Sequence, residues 1–266
     1  MKELRAAFFV LAVSACLGAC VDIGPEIPSE GAGAGLRPNQ VQGLDPGAKS
    51  LTSLHFEVHA YSFEATRIIS DYSERIYNRI ITDTGLDSFR PRQLYPIYIY
   101  ASREEFHRKT GLPEWSAGAA DGTAIYTFEG PHLKWVLPHE LSHLVFAEYM
   151  GIQTHAHKWL NEGLAVYEEQ EAAPGEAPSR IGGTQISFHA MVTLTPLSEK
   201  DRQVSAWYHQ VGSVVRFMIE RSRGPGFQLF LRALRDGKTV DEAVSAAYPG
   251  QWRDLKDVER SWGNLR

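Results

Sequence analysis

His139-Glu140-Leu141-Ser142-His143, with Glu162 following after eighteen intervening residues in Trp159-Leu160-Asn161-Glu162-Gly163-Leu164-Ala165, is the stretch on which the reading of this chain turns. On a helix, positions i and i+4 share a face, so the imidazoles of His139 and His143 can point at one metal ion. Glu140, between them, is positioned to take a proton from a water on that metal. Zinc held by two histidines needs a third protein ligand and leaves its fourth position for water. The bland alternative is a helix that carries two histidines beside its core.

Outward from this stretch, the pattern predicts helices around 133–150 and 158–171. Pro138, directly before His139, lacks the N–H of a helix interior, so a bend is expected there. Upstream, residues 54–61 alternate like a half-buried strand, and Phe63, Ile68, Ile69, Tyr72, Ile76 and Ile80 recur near helical spacing up to Gly85. Leu94 to Tyr100 reads as a second strand in which Pro96 favours an end or an edge position. Ser102 and Glu105 suggest a capping box for a short helix ending at Gly111, and 123–128 is a third strand candidate. Downstream, helices are expected around 206–222, 226–236, 240–247 and 251–262, with Ser205 able to cap the first of these and 172–204 wrapping the surface. Strands first and helices later is an α+β layout, a small N-terminal sheet packed on a mainly helical C-terminal half.

The beginning of the chain has a separate logic. Lys2 and Arg5 precede an apolar run from Ala6 to Ala19, too short to span a bilayer and typical of an export signal. It ends in Leu17-Gly18-Ala19-Cys20, which resembles the lipobox of bacterial lipoproteins, whose Cys is lipidated and becomes the new N-terminus; an ordinary signal cleaved nearby is the alternative. Of two cysteines, Cys16 leaves with the signal, so Cys20 has no disulfide partner in the mature chain. Residues 21–50 hold six Gly, four Pro and no aromatic residue, which predicts a tether over 20–50 with a reach of about 30 Å. The expected division is a signal over 1–19, that tether, and one domain over 51–266. A net charge of −5 and a pI near 6.1 lack the basic excess of a nucleic-acid binder, so that class is set aside.

The third ligand separates the metal-site families. A metzincin would have Gly and His three and six residues after His143, where this chain has Phe146 and Tyr149. The eighteen-residue interval and the N-E-G-x-A segment instead resemble the gluzincins, specifically the M1-aminopeptidase-like branch and its small peptidase-MA-like proteins. His55 to His59, Ile97 to Tyr100, Tyr208-His209-Gln210 and Ser213 to Phe217 extend the likeness over residues 51–223. The resemblance implies a zincin core in which His139, His143 and Glu162 hold one zinc per chain. In it, Glu140 is the general base, a peptide or protein is the substrate, and an edge strand runs beside that substrate. The G-x-M-E-N strand of M1 aminopeptidases has no counterpart in Ala117 to Thr123, so specificity for amino termini is not implied. Tyr208 falls where the family has a hydrogen-bond donor to the oxyanion, although Gly212 lies four residues after it instead of three; a packed helix tyrosine is the equal alternative.

Around the motif, Asn161 is expected to orient the cleft or Glu162, His155 and His157 to belong to a polar connector, and Glu168 and Glu169 to form an exposed face. The expectation is therefore an exported, lipid-anchored zinc peptidase, with the outer membrane or cell surface favoured because Val21 follows Cys20. The alternative is a non-catalytic binding or assembly lipoprotein on the same scaffold. Oligomeric state stays open.

Overall fold

A computed structural model describes residues 21–22, 41–151, 157–177, 185–193, 201–222 and 225–264. Among them β1 (Val21–Asp22), β2 (Lys49–Thr52), β3 (Phe56–Ala60), α1 (Phe63–Thr84), β4 (Tyr95–Tyr100), α2 (Arg103–Thr110), β5 (Gly118–Ala120) and β6 (Ile125–Phe128) precede α3 (Leu133–Met150). Then come α4 (Lys158–Ala172), α5 (Phe188–Thr193), α6 (Asp201–Ser222), α7 (Pro225–Arg235), α8 (Val240–Ala247) and α9 (Leu255–Gly263). The architecture is α+β, a small mixed sheet followed by a mostly helical remainder. No helix among the described residues is long and apolar enough to cross a membrane.

The sheet order is β1-β5-β6-β4-β3-β2, with β3, β4 and β6 mutually parallel, β2 antiparallel to β3, β5 antiparallel to β6, and β1 parallel to β5. One face, carrying Phe56, Val58, Ile97, Ile99 and Ile125, is buried with Ile76 and Ile80 of α1 and Leu141 and Leu144 of α3 in the main core. The other face carries Tyr100 and Ala119, packed with Phe106 of α2. Ser62 and Ser102 cap α1 and α2, and the Thr239–Glu242 capping box opens α8. Ser205 caps nothing, because α6 begins four residues earlier, at Asp201.

Pro96 lies in a central strand, yet at its beginning. Tyr95 N–H donates to the His55 carbonyl at 2.9 Å, and pairing with β6 starts only at Ile97. The missing proline donor therefore costs no ladder bond. Three strands escaped the alternation pattern: β5 is three small residues, β2 precedes the residues read as strand, and β1 falls among those read as tether. The packed body also reaches back into residues counted with the tether. Gln42 N–H donates to the Lys109 carbonyl at 3.0 Å, Tyr100 donates to the Gln42 carbonyl at 2.7 Å, and Lys109 pairs with Asp45 at 2.8 Å.

Three helices frame the centre of the molecule. α3 continues through Pro138. The Lys134 carbonyl, which would have received the absent N–H of residue 138, accepts instead from the Tyr72 hydroxyl of α1 at 2.6 Å. α4 is packed between α3 and α6, and glycines set its distance from α6. A Cβ on Gly163 would stand 2.5 Å from Val215 Cγ2 and 2.7 Å from the Val211 carbonyl oxygen, and one on Gly212 would stand 2.5 Å from Val166 Cγ1. Gly163→Ala should therefore force α6 away from α4 and lower the free energy of unfolding by about 1–3 kcal/mol, as overpacking does. Urea unfolding checks it; an unchanged midpoint would show that the two helices are not in close approach there.

Candidate metal centre

The α3 helix sets His139 and His143 one turn apart on its buried side, with ring centroids 4.9 Å apart at an interplanar angle of 80°. The antiparallel α4 brings Glu162 opposite both. Its Oε2 lies 3.9 Å from His139 Nε2 and 3.9 Å from His143 Nε2. These gaps are too long for hydrogen bonds. They are near the separation of about 3.4 Å between ligand atoms that tetrahedral geometry and zinc bonds of ~2.1 Å require. The three ligand atoms lie within 4.8 Å of one another, and all three residues are buried.

The far ring nitrogens are held as well. His139 Nδ1 is 2.9 Å from Glu169 Oε2, and His143 Nδ1 is 3.0 Å from Asn161 Oδ1. Both partners accept, so each Nδ1 carries the proton and each Nε2 turns a lone pair toward the centre. His139 Nε2 is buried without a hydrogen-bond partner, which burial normally penalises. A divalent cation would satisfy that nitrogen and balance the Glu162 charge, so the donor set fits a metal.

The family model of the peptidase MA superfamily matches residues 74–265, a span that begins inside α1 and includes α3, α4 and α6. The chain belongs to the peptidase MA superfamily. Neither the curated proteins nor the solved structures give a match. Membership makes the chain one of a family of metallopeptidases, and among the described residues the buried His139, His143 and Glu162 are the group that could hold a metal.

Two acidic residues of this peptidase MA domain lie where the sequence reading did not put them. Glu168 and Glu169 are buried, at 0% and 2% exposure, and form no solvent face. Glu169 stands two helical turns after Glu162 and therefore shares its side of α4, where it holds His139. That seven-residue spacing was the signal that would have found it. Glu168 turns the other way, to α1: Arg79 Nε donates to its Oε2 at 2.8 Å, and Arg79 Nη2 donates to its carbonyl at 2.9 Å. Burial pushes the Glu168 carboxyl up to about 8 against the opposing pull of Arg79. The reason for the correction is common to both: α4 is enclosed by α1, α3 and α6, and even its acidic stretch lies inside.

Asn161 holds a candidate ligand, but that residue is His143 and not Glu162. Glu140 is fully buried under β5, with a Cβ on Gly118 lying 3.5 Å from Glu140 Cγ. Val166 meets Gly212, Gly163 meets Val211 and Val215, and Arg216 Nη2 reaches Gln170 Oε1 at 3.4 Å, so α4 and α6 lie side by side. Tyr208 is 7% exposed and packs edge-on against Trp207 at 5.1 Å. His157, at the start of α4, is half-buried, and burial holds its pKa below the usual histidine value; it is not part of the metal-ligand group. His155 lies outside the described residues.

Glu162→Gln should lose bound zinc to a mild chelator. Glu169→Ala should keep one zinc but weaken its affinity by about 10–100-fold, the usual worth of a group that orients a metal-bound histidine. Glu169→Gln, which can still accept from Nδ1–H, should restore part of that loss. Competition against a chromophoric chelator reads all three, and equal affinities in wild type and Glu169→Ala would remove Glu169 from the site.

Proposed function

We propose that the protein is a zinc-dependent peptidase of gluzincin type, exported and attached to a bacterial membrane through a lipid on Cys20, outer membrane or cell surface favoured. The observation that carries the catalytic reading is the enclosed group His139, His143 and Glu162 together with a buried carboxylate, Glu140, one residue after the first imidazole. In this reading zinc is the metal, one ion per chain, and a peptide or protein is the substrate. The M1-like spacing supports the gluzincin branch, and the lack of a G-x-M-E-N strand leaves amino-terminal specificity unsupported.

His139, His143 and Glu162 would hold the ion, which when bound supplies Lewis acidity and a water acidified to a pKa of about 7. The chain's own groups do the rest. Glu140 accepts the proton of the attacking water and delivers it to the leaving amine. Its full burial keeps bulk water from competing for that proton. Glu169 and Asn161 keep both imidazoles in the tautomer that presents Nε2. Tyr208 of α6 is the candidate donor to the oxyanion.

Glu140→Gln keeps size and most hydrogen bonding but removes the base. Zinc content and thermal stability should stay at wild-type values while turnover of a peptide-library substrate falls by about 10²–10⁴. Equal cleavage by both proteins, with contaminating protease excluded, would sink the mechanism. If neither protein cleaves while both hold one zinc, the non-catalytic binding reading takes its place.

Attachment has its own test. Cys20→Ser should shift the exported protein from the membrane pellet to the soluble fraction, with an unchanged thermal transition. Recovery of Cys20→Ser in the pellet would show that something other than a lipid holds it there.

A further inference from the structure

β5 is where the sheet comes nearest to the candidate catalytic group, and one residue allows it. Gly118 packs so tightly on α3 that a Cβ there would stand 2.5 Å from Val136 Cγ1 and 3.5 Å from Glu140 Cγ. The strand has one neighbour within the sheet body, β6, paired antiparallel through Gly118–Thr127, Ala119–Tyr126 and Ala120–Ile125. Its other edge carries the backbone groups to which an extended peptide could add. That edge is taken. β1 pairs with it in parallel, Val21 opposite Ala119 and Asp22 opposite Ala120. Among the described residues β1 pairs with no other strand and stands at that end of the sheet.

An edge built of Gly118, Ala119 and Ala120 offers main-chain bonds and no pockets, so it favours an extended backbone of almost any sequence. Residues 21–22 meet only that requirement, and so would a peptide substrate. We infer that the segment directly after Cys20 is a built-in competitor for the peptide-binding edge beside Glu140, and that a substrate strand must displace Val21–Asp22 to reach the centre. The inference rests on the peptidase reading for its consequence but not for its geometry. Two paired residues are a weak latch, worth one or two ladder hydrogen bonds, so release should cost about tenfold in apparent affinity.

The test uses the full chain in the Glu140→Gln background, so that a bound peptide is not consumed. Val21→Pro and Asp22→Pro together remove both backbone donors of β1. Two readouts are taken at full zinc loading: amide hydrogen exchange of residues 118–120, and the Kd of a fluorescein-labelled library peptide. Expected are faster exchange at 118–120 in the double-proline protein and a peptide Kd about tenfold tighter, with zinc affinity unchanged. Unchanged exchange at 118–120 would overturn the occupancy of the edge. Faster exchange with an unchanged peptide Kd, or with no peptide binding to either protein, would overturn the competition. Failure of the peptidase reading is distinguishable, because it appears as absent cleavage by the chain with Glu140 intact and leaves the exchange result standing.

Discussion

Carboxylates buried between packed helices govern this molecule. Glu140, Glu162, Glu168 and Glu169 are all at or below 2% exposure, and an isolated carboxylate in such surroundings is costly enough to change protonation or break the packing. The arrangement around α3 and α4 follows from the need to compensate each one. Glu168 is met by Arg79 from α1, Glu169 by the N–H of His139, and Glu162 faces two imidazole lone pairs that a cation would bridge. Binding of a cation there would therefore be coupled to folding, because the same groups would serve both.

The close helix contacts serve that compensation. Only a glycine at 163 lets α6 come against α4 beside the residue that carries the third ligand, and only a glycine at 118 lets β5 lie on Glu140. Both exclude water from around charged groups, which strengthens each electrostatic interaction inside. The peptidase MA domain is thus tightest where its charges are most concentrated.

Helical periodicity made much of this legible in the sequence. His139, His143 and Glu162 could be brought together on paper because i,i+4 spacing and a second helix suffice, and α3 and α4 lie within a residue of where they were expected. Glu168 and Glu169 were misread because Glu168-Glu169-Gln170-Glu171 looks like a solvated face, and burial of such a run depends on partners from α1 and α3 that no local pattern shows. β5 was missed because alanine and glycine carry no strand signal; its reason for existing is a close approach in three dimensions. Tyr208 was reached by resemblance alone, and its level on α6 depends on an interhelical register that only packing sets.

The hydroxyl that Tyr72 donates across 62 residues to the Lys134 carbonyl bears on what completes α3. The turns of α3 that carry the two histidines lie after Pro138 and can close on local hydrogen bonds. The turn before it has a carbonyl that no residue of its own helix can satisfy. The contact with α1 gives that carbonyl a protein partner in place of water, at the cost of the loop entropy that joins α1 to α3. A proline beside a candidate metal ligand thus ties the first turns of this helix to the long-range topology, while the turn that carries the histidine pair does not depend on that contact.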